Sequence, residues 1–192
     1  MMENNTAVTV KFAKMHPDAK IPTKDYENAG YDIYPAFDED FIQLSPCETK
    51  MIPTGICSAF PPEYVMILKE RGSTGTKGIG QRSGVIDSGY RGQWFVPITN
   101  HNNFKVLFIS KLSLEETARK AYAEIYESTG NIDDWIEKTI TSKKFILYPY
   151  EKAIAQAILL PVPKTEIIET TVDEIMSIES NRGTGALGSS GK

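Results

Sequence analysis

Residues 71–94 read RGSTGTKGIGQRSGVIDSGYRGQW, a run rich in glycine, arginine and serine with a single carboxylate, Asp87, inside it. YVMILKE before it and QWFVPITN after it are apolar segments of strand length. The same texture extends outward. Val8, Val10 and Phe12 alternate near the N-terminus, and HPDAK, LSPCET and FPPEY mark turns. Eleven prolines and fourteen glycines spread over 192 residues divide the chain into short strands rather than repeating strand–helix units. That pattern predicts an all-β sandwich or jelly roll. One block departs from it, between residues 110 and 148. Ser113 and Glu116 there form a capping box, and Leu114, Ala118, Ala121, Tyr122 and Ile125 recur at helical spacing until Gly130. A shorter helix is expected from Asn131, with Asp133 and Asp134 in its first turn. KKFILYPY and AIAQAILLPV then restore the strand texture. The expectation is one domain over residues 1–192 carrying a helical insertion at 110–148.

The totals narrow the function classes. A formal charge of −4 lacks the basic surplus of a general nucleic-acid binder. Cys47 and Cys57 are too few for a disulfide framework, which points to a reducing cytoplasm. The apolar runs fall well short of the roughly 20 residues of a membrane span, and MMENNTAVTV has no leader-like pattern. A soluble cytoplasmic protein is expected. His16 and His101 stand far apart without cysteine or acidic neighbours at ligand spacing, which argues against structural zinc.

Two stretches carry chemistry. Arg71 opens a glycine–serine loop directly after an apolar strand, where backbone N–H groups and a guanidinium can cradle an anion; a hairpin turn with a solvated arginine is the alternative. In GVIDSGYRG an apolar strand delivers Asp87 and then Tyr90 before the turn at Gly92. An aspartate at a strand end is well placed as a fixed general base, and a tyrosine beside it can lie against a sugar or base ring. Asp87 as a turn former and Tyr90 as sheet filler is the other reading. The terminus RGTGALGSSGK matches GxGxxG at Gly183, Gly185 and Gly188, but the dinucleotide fingerprint needs a strand before it, a helix after it and an acidic residue about twenty positions on, a context this stretch does not show, so the match is set aside. Arg182, Ser189, Ser190 and the glycine backbone still suit phosphate oxygens, against the alternative of a frayed tail.

Five stretches in order resemble the motifs of the trimeric deoxyuridine triphosphatases (dUTPases): AGYDIY (29–34), RGSTG (71–75), GVIDSGYRG (84–92), AIAQ (153–156) and RGTGALGSSG (182–191). PTGI (53–56) also fits that family's pattern. The resemblance implies a jelly-roll-like subunit with the helical segment inserted between the third and fourth motifs. It further implies a homotrimer whose active sites are shared between subunits, and Mg²⁺-dependent hydrolysis of dUTP to dUMP and pyrophosphate. Such a reaction keeps uracil out of DNA and supplies dUMP for dTMP synthesis in a bacterial or phage-infected cytoplasm. Carried over, Asp87 matches the carboxylate that deprotonates the attacking water, and Tyr90 the ring that excludes a 2′-hydroxyl. Gly84, Val85 and Ile86 match the uracil-reading backbone, with Gln81 where relatives often carry asparagine. Arg71, Gly72, Ser73 and Gln156 match the phosphate loop and its partner. Asp32 matches an acidic residue supporting the metal's water shell, with no direct protein ligand to the metal. Arg182, Leu187, Gly188, Ser189 and Ser190 match the lid, residues 182–192.

The chain departs from the family in three places. Gly72 stands where serine usually follows the arginine, Glu151, Lys152 and Ala153 replace a frequent Gly-Asp-Arg, and Leu187 replaces an aromatic that covers uracil. Deoxycytidine triphosphate deaminases share the arginine–serine loop and are the enzyme alternative. The insertion offers a second one: a regulatory surface for a protein partner, against the plainer expectation that its apolar stripe packs on the β core.

Overall fold

The computed structural model describes residues 7–82, 84–109, 116, 145–181 and 183–184. Contacts divide the chain into a body, Met1–Val162, and a C-terminal segment, Pro163–Lys192. The body is built from strands β1 (Lys11–Lys14), β2 (Gly30–Ile33), β3 (Phe41–Leu44), β4 (Thr49–Pro53), β5 (Ile56–Ala59) and β6 (Tyr64–Lys69), the single-turn helix α1 (Gly72–Gly75), then β7 (Ile79–Gln81), β8 (Val85–Asp87), β9 (Phe95–Asn100), β10 (Lys105–Ile109), β11 (Phe145–Pro149) and β12 (Ala155–Pro161). This is the expected all-β architecture. The helices predicted within residues 110–144 lie outside the described residues, Glu116 excepted.

The described strands form four sheets, ordered β1-β5, β11-β10-β3, β2-β12-β6-β8 and β4-β9-β7. Every pairing is antiparallel except that of β10 with β11, which are parallel and are the strands flanking the insertion. A parallel pair needs a long crossover, and residues 110–144 supply the chain for it. The period-2 alternation of YVMILK sends Met66 and Leu68 inward, where they are fully or almost fully buried. Ile33, Leu44, Ile52, Ile98, Trp94 and Phe108 join them in one apolar core. Phe12 presents an edge to the Trp94 ring at 5.6 Å and 72°, tying β1 to the core. Each fully buried Leu or Ile stabilises by about 1.5–3 kcal/mol, so this core dominates the fold's energetics.

The outer face of the β2-β12-β6-β8 sheet matters most for function. Residues directly opposite one another share a face. Asp32, Gln156 and Lys69 therefore form one row, Ile158, Ile67 and Val85 the next but one, and Leu160, Val65 and Asp87 the row beyond. In the C-terminal segment, α2 (Val172–Ser177) is capped by Thr171, whose hydroxyl accepts from the Glu174 amide at 3.2 Å. Ile167, Ile168, Val172, Ile175, Met176 and Ile178 of this segment are exposed.

Candidate active site

At the polar end of that sheet face, Arg71 leaves β6 and turns back over the Asp32 row. Its Nε lies 3.1 Å from Asp32 Oδ1 and its Nη2 donates to Oδ2 at 3.4 Å, a fork-to-fork pair. Nη1 donates to the Ala153 carbonyl at 3.2 Å. The loop behind Arg71 closes on itself: the Thr74 hydroxyl is buried, accepts from the Arg71 amide at 3.2 Å and donates to the Arg71 carbonyl at 2.9 Å. Gln156 Nε2 donates to the Glu70 carbonyl at 2.8 Å. Together Lys24, Asp25, Asn28, Asp32, Arg71 and Gln156 line a polar cavity of about 320 Å³. Arg71 and Gln156, predicted for phosphate, and Asp32, predicted for structural support or the water around the metal, come from three separate motifs and are thus brought together. Gly72 has open space where a side chain would stand.

Beside the loop stands Tyr148 on β11, close enough to the Ser73 hydroxyl for it to act on the phenol. Tyr148 is buried, and its hydroxyl donates to the Ala153 carbonyl at 2.8 Å. Burial pushes its pKa up, against the opposing pull of the Ser73 hydroxyl and the Arg71 guanidinium. Neither Tyr148 nor the Ala153 carbonyl stands out in the sequence. In KKFILYPY a tyrosine at strand spacing reads as filler, and a backbone carbonyl carries no residue signal.

At the opposite end of the sheet, β8 presents Asp87, exposed, after the buried Ile86. The Tyr90 amide donates to the Asp87 carbonyl at 3.0 Å, and the Tyr90 hydroxyl donates to the Gln93 carbonyl at 3.0 Å. A methyl at Gly92 would overlap the Tyr90 hydroxyl, so glycine there lets the ring lie flat along the turn. Gly84 sits at φ +133°, and a Cβ there would come within 2.9 Å of the Leu68 carbonyl. Its own carbonyl accepts from the Leu68 amide at 2.7 Å, which fixes the backbone beside Val85 and Ile86. Gly84, Val85, Ile86, Asp87, Tyr90 and Phe95 contribute to a cavity of about 230 Å³. A second one, of about 640 Å³, is lined by Gln81, Gly84, Val85, Glu70 and Leu68 among others. The Gln81 amide donates to the Glu70 carboxylate at 2.9 Å. Arg182, Leu187, Gly188, Ser189 and Ser190 lie outside the described residues.

The sequence model of the dUTPase family matches residues 18–111. A deoxyuridine 5′-triphosphate nucleotidohydrolase of Leptospira interrogans is 34% identical over 91 residues, covering 45% of this chain and 62% of that one. Its counterpart in Nautilia profundicola is 32% identical over 187 residues, covering 95% of this chain and 99% of that one. The chain belongs to the dUTPase family. The fold agrees: the dUTPase of Staphylococcus bacteriophage 80alpha, solved as a point mutant with dUpNHpp, superposes with a TM-score of 0.66 at 22% identity, covering 96% of this chain and 99% of that one. Among the described residues no helix is long and apolar enough to cross a membrane. In this dUTPase family member the residues predicted for phosphate and those predicted for the nucleoside therefore sit at two ends of one sheet face.

Proposed function

We propose that this chain hydrolyses dUTP to dUMP and pyrophosphate, as a single catalytic domain with residues 182–192 as its lid. The observation carrying this reading is the register of the β2-β12-β6-β8 sheet. Val65, opposite Asp87, stands four residues from Lys69 in the Asp32–Gln156 row, about 13 Å along β6 at ~3.3 Å per residue. Asp32 and Asp87 also lie on the two edge strands, three spacings apart, or about 14 Å. A triphosphate, with its phosphorus atoms joined through single bridging oxygens, is far shorter than the resulting diagonal. One copy therefore does not offer Asp87 and Arg71 to the same phosphate chain. A second copy supplies the missing half, which supports the shared sites of a homotrimer.

In this reading the uracil lies against Gly84, Val85, Ile86 and Gln81, and the Tyr90 ring packs on deoxyribose, leaving no room for a 2′-hydroxyl. Asp87 accepts a proton from water, whose oxygen attacks the α-phosphorus. The bond from the α-phosphorus to the bridging oxygen breaks, and pyrophosphate leaves with that electron pair. Arg71 of a neighbouring copy, Gln156 and the lid residues Arg182, Ser189 and Ser190 hold the outer phosphates. Mg²⁺, when bound, would neutralise part of the triphosphate charge. Among the described residues no group of three or more His, Cys, Asp or Glu could hold it directly. The donors at hand, phosphate oxygens and an Asp32 carboxylate already paired with Arg71, fit an ion held through substrate and water.

Asp87→Asn tests the assignment. Pyrophosphate release from dUTP should fall at least a thousandfold while binding of a non-hydrolysable dUTP analogue stays within threefold. Undiminished turnover would remove Asp87 as the base. Wild-type protein assayed with dUTP, dTTP, dCTP and UTP should turn over dUTP preferentially, and ammonia release from dCTP would point instead to a deaminase.

A further inference from the structure

The loop that presents Arg71 is fastened by a residue from another sheet. Tyr148 lies on β11 in the β11-β10-β3 sheet, whereas Arg71 follows β6 of the β2-β12-β6-β8 sheet. Its hydroxyl donates to the Ala153 carbonyl at 2.8 Å, the carbonyl that also receives Arg71 Nη1 at 3.2 Å. The Ser73 hydroxyl is a neighbour of the same phenol. Farther along, the Lys77 ammonium stands 5.3 Å from the Tyr148 ring centroid, and the Lys77 amide donates to the Thr74 carbonyl at the close of the helical turn. Tyr148 thus shares an acceptor with the residue that opens the loop and meets the loop's far end through Lys77. The ring is held in turn by Phe108, with centroids 5.5 Å apart, in a fully buried setting.

We propose that Tyr148 is the positioning residue of the phosphate loop, its hydroxyl fixing the Ala153 carbonyl that aims the Arg71 fork so that the loop meets the β- and γ-phosphates of a nucleoside triphosphate. Among the described residues the Arg71 side chain is otherwise paired with Asp32, a carboxylate about one-third exposed that an incoming polyanion competes with. The bond to the buried Ala153 carbonyl is not subject to that competition. Without the phenol, that carbonyl loses the donor that fixes it, and the Arg71 fork is aimed less firmly. The loop then has to be ordered by the ligand itself, and affinity for phosphate-bearing ligands falls.

This rests on the proposed function, and the experiment separates the two. Tyr148→Phe deletes the hydroxyl and keeps the ring packed on Phe108. Its affinity for an α,β-imido analogue of dUTP should drop about tenfold, while affinity for deoxyuridine, which lacks phosphates, stays within twofold. KM for dUTP should rise more than kcat falls. Analogue affinity equal to wild type, or equal losses for analogue and deoxyuridine, would overturn the proposal. Should Tyr148→Phe not fold, the wild type carries the test. The Tyr148 hydroxyl proton should exchange slowly in NMR spectra and shift on adding the analogue but not deoxyuridine; no shift overturns the assignment. Failure of the wild type to release pyrophosphate from dUTP would instead sink the proposed function, leaving the binding comparison intact.

Discussion

At the scale of single residues, the site depends on groups with few alternatives. Gly92 is one. Its missing Cβ leaves the place that the Tyr90 hydroxyl occupies on its way to the Gln93 carbonyl. Gly92→Ala should push the ring off the turn and loosen sugar selection. We expect the ratio of kcat/KM for dUTP over UTP to fall about tenfold, roughly 1.4 kcal/mol of discrimination, with Tm changed by only a few degrees. Unchanged discrimination would mean that Tyr90 is not the sugar-facing group. Much at this scale was legible in advance. Asp32, Arg71 and Gln156 were singled out from short motifs and do line one cavity. Tyr148 was not, because its importance arises from a hydroxyl reaching a carbonyl five residues on, and strand periodicity does not encode that direction.

At the scale of elements, tight turns between strands are where local electrostatics acts. The turn from β3 to β4, LSPCET in the sequence, is closed by Glu48. Its carboxylate accepts from the Ser45 amide at 2.7 Å and lies 3.4 Å from Lys50 Nζ. The bond from the Ser45 amide, then the Lys50 charge, hold its pKa below the ordinary 4.5. A carboxylate depressed in the folded state contributes stability present above that ordinary value and lost as pH falls below it. Thermal unfolding measured from pH 5 down to pH 3 should show a declining Tm, and Glu48→Gln should shallow the decline. An identical slope in the variant would place the acid sensitivity elsewhere. The strands in YVMILKE, QWFVPITN, KKFILYPY and AIAQAILLPV are legible from alternation and turn residues, whereas β3, β4, β5 and β7 carry no such individual signal. Strand partners were not legible, since the pairing of β10 with β11 across a 35-residue gap depends on the core that both strands cover.

At the scale of the whole molecule, the separation of Asp87 from Arg71 makes a strong demand. If neighbouring copies complete each other, two inactive variants can rescue one another. Asp87→Asn and Arg71→Ala, each nearly inactive alone, should regain on mixing and subunit exchange up to about a quarter of wild-type turnover, the random share of sites pairing an intact Arg71 with an intact Asp87. Activity that stays at the level of the separate variants after verified exchange would confine each site to one copy.

By itself the sequence determined the local choices: strands where alternation and turn residues agree, a glycine-rich loop opened by Arg71 after an apolar strand, and an aspartate at a strand end. These are written in neighbouring residues, because backbone preference and side-chain periodicity act over a few positions. Only the tertiary structure decided that Asp32, Arg71 and Gln156 share one cavity, that Asp87 stands at the far end of the same sheet face, and that Tyr148 clasps the loop between them. Register, sheet order and long-range hydrogen bonds come from how the strands bury a common core, and that free energy belongs to contacts between distant residues rather than to any one stretch.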